Sequence, residues 1–134
     1  MRATVSIIIV NWNAGPALAE CVASLADGGG GRTEVVLVDN ASSDGSADAT
    51  LARHPQVHLL QTGTNLGFAA GANRGAAAAT GDVLVFVNPD ARVLPGAVAT
   101  LVDTLLHEPG VGIAGGGLVD ARGRWQPAAA RFAP

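Results

Sequence analysis

The chain contains no lysine and no tyrosine, and its 134 residues include only one cysteine, three phenylalanines and two tryptophans. Each shortage closes a route. Without lysine the phosphate-binding loop Gly-x-x-x-x-Gly-Lys cannot be built. The single cysteine, Cys21, excludes an intramolecular disulfide; it falls on an apolar helical face with no base near it in sequence, so it reads as a small core residue rather than a nucleophile. Charged residues make up 14% of the chain, the net charge is −3, and the basic residues are all dispersed arginines. Nucleic acid is therefore not the expected partner. Long apolar stretches are also missing: Val5–Val10 meets Asn11-Trp12-Asn13 instead of a small-residue cleavage site, so neither a signal peptide nor a membrane span is expected. A cytoplasmic location follows as the default, with peripheral contact at the inner face of the membrane left open.

What is present is small and aliphatic. Hydrophobic residues reach 49%, much of it alanine and glycine, which requires an aliphatic core with closely approaching elements. At this length a single domain buries roughly two-thirds of its unfolded surface. Strands are expected at Val5–Val10, Glu34–Val38, Val57–Leu60 and from Val83, with a fifth apolar run at Val111–Ala114. Helices are expected between them: around Leu18, Cys21, Val22 and Leu25; from Ser46 to His54-Pro55; over Phe68–Ala79; and from Pro95 through Val98, Leu101, Val102, Leu105 and Leu106. Leu118-Val119 and Arg124-Trp125-Gln126 flank a plausible hairpin turn at Asp120–Gly123. Alternating strands and helices predict an α/β fold, a mostly parallel sheet with helices on both faces. Gly28–Gly31 reads as a surface turn, and Pro127–Pro134 carries no clear element.

The run Val83–Val87 ends on Asn88-Pro89-Asp90. A continuous apolar run fits a strand buried on both faces, which would deliver Asp90 to the carboxyl edge where open sheets bind ligands. Asn-Pro-Asp is also a good turn, and both readings stand. The dinucleotide fingerprint Gly-x-Gly-x-x-Gly is absent after the first strand, where Asn11-Trp12-Asn13-Ala14-Gly15-Pro16 stands instead.

Val5–Asn13, Val38-Asp39-Asn40-Ala41-Ser42-Ser43-Asp44-Gly45-Ser46, Asn65–Gly75 and Asn88-Pro89-Asp90 stand in the order found in family 2 glycosyltransferases of the GT-A fold. The chain most resembles the branch containing bacterial rhamnosyltransferases. The resemblance covers the donor-binding half, residues 1–134 being read as that half of a truncated domain. It implies a nucleoside diphosphate sugar as donor, plausibly dTDP-rhamnose, inverting transfer to a cell-surface glycan or glycolipid, and a divalent metal, Mg²⁺ or Mn²⁺. It also implies roles: Asp39 for the base or ribose, Asp90 for the metal, and Asn88, in place of the usual first aspartate, for the donor's ribose or the ion's water, giving a weaker metal site.

Other residues are candidates for the same ligand. Asn11 and Asn13 leave the first strand at the ligand edge, with Trp12 as a wall or a core residue. Gly67 would let backbone approach the nucleotide beside Asn65, while Asn73 and Arg74 would lie one turn into a helix whose first N–H groups are unpaired and favour phosphate. The spacing of Gly67, Gly71 and Gly75 equally suits helix packing on the sheet. Ser42, Ser43, Asp44 and Ser46 read as turn and capping residues, and the three histidines as surface residues. No residue reads as a catalytic base, since Asp120 sits in a turn. The alternative is a non-catalytic nucleotide-sugar binding or interaction module. An incomplete fold would expose apolar surface, and self-association is expected from it.

Overall fold

The computed structural model describes residues 3–26 and 32–127. Gly28–Gly31 and residues 128–134 of the alanine- and proline-rich tail lie outside the described residues.

β1 (Val5–Asn11) is buried along its whole length. It lies between β2 (Thr33–Asp39) and β4 (Val83–Val87), with β3 (His58–Gln61) beyond β2; every pairing is parallel. Because side chains alternate along a strand, β1 serves two cores. Val5, Ile7 and Ile9 pack with Leu18, Cys21 and Val22 of α1 (Ala17–Ser24), Ala47 of α2 (Ser46–Arg53), and Val98 and Val102 of α4 (Ala97–His107). Ile8 and Val10 pack with Val36, Val38 and Ala72 of α3 (Phe68–Ala78) on the opposite face. Helices on both faces are thus observed as expected. The chain steps outward from β1 to β2 to β3, then α3 carries it back to the other side of β1. The winding direction reverses between β1 and β4, and a crevice at such a reversal is where open sheets bind ligands.

Two expectations fail for one physical reason. β4 is not buried on both faces: it is the sheet edge, with Leu84 39% and Phe86 50% exposed. Val111–Ala114 is not a strand but an irregular segment with Ile113 exposed, rich in glycine and without a paired neighbour among the described residues. An apolar hollow of about 450 Å³ lies there, lined by Leu84, Phe86, Leu101, Leu105 and Ile113 among others. The hairpin does form, as β5 (Leu118–Val119) antiparallel to β6 (Trp125–Gln126). Among the described residues no helix is long and apolar enough to cross a membrane.

Close approach of α3 depends on Gly71 and Gly75. A Cβ at Gly71 would stand 2.9 Å from Val10 Cγ1, and one at Gly75 2.5 Å from Ile8 Cγ2. At the opposite sheet edge, Glu34 ties three elements: its Oε1 accepts from Ser6 Oγ at 2.5 Å, Thr80 N at 2.6 Å and Thr80 Oγ1 at 2.9 Å. The Ser6 hydrogen bond, then the Thr80 amide, hold the Glu34 carboxyl below its ordinary range.

Gly75→Ala gains about 1 kcal/mol of helix propensity but forces a methyl against branched, buried Ile8, which costs about 1–3 kcal/mol. Net destabilisation in urea unfolding is expected, and a more stable variant would refute the packing role. Because the folded pKa of Glu34 lies below the unfolded one, its contribution is present above about pH 4.5 and lost as pH falls through the lower folded value. Glu34→Gln should therefore lessen the acid-side fall in stability measured by denaturation between pH 5 and about 3; an unchanged acid limb would contradict this.

Candidate functional site

β1 and β2 end in register on Asn11 and Asp39, so the pair stands side by side at the carboxyl edge of the sheet. Asn11 is fully buried. Its Nδ2 lies 3.0 Å from Asp39 Oδ1, 2.8 Å from Ser46 Oγ and 3.1 Å from Ser42 Oγ, three oxygens sharing two amide hydrogens. Its Oδ1 accepts from Ala14 N at 3.3 Å. Asn11 therefore faces no open space for a ligand; what it controls is the orientation of Asp39.

Asp39 is 6% exposed, and its Oδ2 accepts from Ser42 N at 3.2 Å. The residue lines a cleft of about 60 Å³ with Ser42, Gly45, Ser46, Asp48 and Gln61. Each carboxylate oxygen offers two lone pairs, so acceptor capacity remains on that side. The loops after β1 and β2 are stitched together: Asn13 N donates to Ser42 Oγ at 2.9 Å, Ser43 N donates to Asn13 Oδ1 at 2.8 Å, and Gly15 N donates to Asp44 Oδ2 at 2.9 Å. Asp44 also accepts from Ser46 N at 3.0 Å, and hydrogen bonds from Ser46 keep its carboxyl below the usual range. The serines and Asp44 thus build turns, although Ser46 accepts from Asn11 rather than capping α2. Asn13 and Ala41 hold left-handed backbone, with φ of 51° and 61°, a conformation costing non-glycine residues about 1 kcal/mol. Trp12 is 59% exposed and stands outside the core.

The third loop arrives through Asn40, a residue whose role was not read from the sequence. Buried Asn40 donates from Nδ2 to Gly67 O at 3.0 Å, and its Oδ1 accepts from Thr62 Oγ1 at 3.3 Å. Asn65 Oδ1 in turn accepts from Gly67 N at 2.9 Å. The start of α3 is thereby fixed beside the end of β2. Only one signal for Asn40 existed in sequence, a polar residue continuing a buried strand. Gly71, Ala72 and Gly75 are buried on α3, while Asn73 and Arg74 are exposed, more than a turn past its start.

Asn88-Pro89-Asp90 is both a turn and an accessible pair of oxygen donors. Ala91 N donates to Asn88 O at 3.1 Å, closing the turn, while Asn88 and Asp90 are exposed. Beneath it, Cys21 Sγ lies 3.4 Å from Asn88 O. Burial, then the negative charge of Asp90, pushes the Cys21 thiol up to about 11, so it stays protonated and donates. Among the described residues no three His, Cys, Asp or Glu side chains group as a metal cage. An exposed carboxylate with a neighbouring amide fits a hard cation only if other oxygens, such as phosphate and water, complete its shell. His54 departs from the surface placement expected of the histidines: it is half-buried, with its Nε2 unpartnered among the described residues. Asp120 is held by Arg122 N at 2.8 Å, Arg124 N at 3.0 Å and Arg124 Nε at 2.8 Å.

Asn11→Ala would leave Asp39 and Ser46 without their buried donor, at a cost of about 1–3 kcal/mol. Chemical denaturation measures this, and a loss below half a unit of kcal/mol would show that the knot is slack.

Residues 6–130 match the glycosyl transferase family 2 domain. The chain is 31% identical over 140 residues to N-acetylglucosaminyl-diphospho-decaprenol L-rhamnosyltransferase of Mycobacterium tuberculosis, covering 96% of this chain and 46% of that protein. Among solved structures, the mannosyltransferase PcManGT of Pyrobaculum calidifontis, in complex with GDP-Man and Mn²⁺, superposes with a TM-score of 0.69 at 30% identity, over 84% of this chain and 34% of that one. Staphylococcus aureus TarS 1–349, in complex with UDP, gives 0.70 at 20% identity over 84% of this chain and 38% of that one, a likeness of fold alone. The chain thus spans less than half the length of these proteins. The mostly parallel α/β sheet is the GT-A arrangement that the resemblance implied, and the chain belongs to glycosyl transferase family 2.

Proposed function

We propose that this chain binds the nucleoside diphosphate sugar of an inverting glycosyltransferase, across the carboxyl edge from Asp39 to Asp90. One observation carries the reading: two oriented acidic loops, after β2 and after β4, open on the same edge on either side of central β1. Asp39 accepts a pyrimidine N–H or a ribose hydroxyl, while Asn13, Asn65 and the backbone at Gly67 border the nucleotide. Asn11 acts through Asp39. Asp90, with Asn88 beside it, would hold Mg²⁺ or Mn²⁺ against the diphosphate, and a bound cation there would neutralise the departing nucleoside diphosphate. Mn²⁺ in the Pyrobaculum complex supports a divalent ion. Asn73 and Arg74, exposed on α3, are further candidates for contact with the diphosphate.

The name of the mycobacterial relative supports rhamnose as the sugar and a polyprenyl-diphosphate-linked glycan as acceptor; the donor we infer carries that sugar on deoxythymidine diphosphate. An acceptor of that kind would bring the protein to the inner face of the membrane. Inversion needs a base to take the acceptor hydroxyl's proton. Asp120, engaged by Arg122 and Arg124, is a poor base, because those hydrogen bonds hold its carboxyl below the usual range. Donor binding with little transfer is expected from this chain alone. That same observation favours, as second reading, a nucleotide-sugar binding module without catalysis.

Calorimetry with dTDP, UDP and GDP sugars, with and without Mn²⁺, separates these contributions. Asp90→Ala should abolish the Mn²⁺-dependent gain and leave metal-free binding intact, whereas Asp39→Asn should weaken binding about tenfold or more in both conditions, as for loss of a charged hydrogen-bond acceptor. Equal affinity for purine and pyrimidine donors, or an Mn²⁺ effect unchanged in Asp90→Ala, would refute the corresponding assignment.

A further inference from the structure

The loop from Asn88 to Val93 leaves the sheet at its open edge strand, yet it is tied down from one side by a single turn of α1. Cys21 Sγ donates to Asn88 O at 3.4 Å. One turn later, Ser24 Oγ accepts from Val93 N at 2.9 Å while donating to Cys21 O at 2.6 Å, so the hydroxyl is oriented by its own helix before it meets the loop. Glu20 Oε2 lies 3.5 Å from Arg92 Nη2 as well. Both of those side chains are more than half exposed, and exposed ion pairs contribute little. The sheltered Cys21 and Ser24 contacts are therefore the firm ones.

These contacts bracket Asp90. Asn88 and Val93 are fixed at either end, and the Ala91–Asn88 hydrogen bond closes the turn between them. We propose that Cys21 and Ser24 are positioning residues for Asp90, with α1 gripping its loop on both sides so that the carboxylate is set in place before a divalent cation arrives. The proposal rests on the reading of Asp90 as the metal ligand. Residues that orient a ligand from behind have a recognisable effect: their loss weakens the metal about 10- to 100-fold while leaving the ligand itself in the sequence.

The test is Mn²⁺ titration of the full chain in the presence of dTDP, followed by calorimetry and by the electron paramagnetic resonance signal of free Mn²⁺. Ser24→Ala should weaken Mn²⁺ about tenfold, Cys21→Ala should move it the same way, and Ser24→Thr, which keeps the hydroxyl, should restore the wild-type value. Metal-free dTDP affinity should stay unchanged in all of them, which a general loss of structure would not allow. If Ser24→Ala does not fold, Cys21→Ala decides alone. Wild-type Mn²⁺ affinity in folded Ser24→Ala and Cys21→Ala, with the Mn²⁺ effect lost in Asp90→Ala, would overturn the positioning role and leave the metal site standing. An Mn²⁺ effect that is absent from wild type, or unchanged in Asp90→Ala, would overturn both.

Discussion

A buried amide at the end of the central strand organises this molecule. Asn11 has no water to fall back on, so its hydrogens must find protein oxygens, and those within reach belong to Asp39, Ser42 and Ser46. One side chain therefore joins the end of β1, the end of β2, the turn beyond it and the start of α2. The carboxylate of Asp39 inherits its direction from that arrangement. From Asp39 the order spreads outward: the next residue, Asn40, fixes the start of α3 through Gly67, and Ser42 fixes the loop that carries Trp12 and Asn13. Polar groups buried in this way are costly when half satisfied and stiff when fully satisfied, and here the described partners satisfy them.

The two flanks of the sheet are built differently. On the β2 side, side-chain hydrogen bonds between successive loops set the geometry, close to a small polar cleft. On the β4 side the strand is open and apolar, and the Asn88–Asp90 turn is held by helix α1 rather than by a further strand. A tightly fixed Asp39 suits recognition of a flat, hydrogen-bonding base or ribose. An exposed Asp90 in a short turn suits a cation that takes its remaining ligands from the donor, since Asn88 contributes an oxygen but no charge.

Much of this was legible in the sequence, for reasons that also mark where legibility stops. Val5–Val10 and Glu34–Val38 declare themselves as buried strands, and the stripe from Val98 to Leu105 declares a helix, because periodicity reports which face is apolar. Periodicity does not report neighbours. Val83–Val87 reads the same whether or not another strand covers its far side, so the exposure of Leu84 and Phe86 was hidden, and Val111–Ala114 resembled a strand although glycines and the lack of a partner leave it irregular. Polarity at a strand end likewise marks an edge without saying what the side chain meets. Asn11 turns inward to Asp39, Asn40 shows no sequence signal beyond its polarity, Asn13 binds the loop after β2, and Asn65 binds its own loop. Gly71, Ala72 and Gly75 mark the sheet-facing side of α3, which leaves Asn73 and Arg74 exposed. Asn88-Pro89-Asp90 is a turn that leaves the Asp90 carboxylate exposed, so the turn and ligand readings do not exclude each other.

In the proposed mode of binding, one donor molecule spans from Asp39 to Asp90 across β1. A crystal structure of the chain with dTDP and Mn²⁺, with anomalous diffraction recorded for manganese, tests this most directly. An anomalous peak is expected at the Asp90 carboxylate, bridged to diphosphate, with the base or ribose hydrogen-bonded to Asp39. Nucleotide seated in the apolar hollow beside β4, or manganese bound away from Asp90, would contradict it.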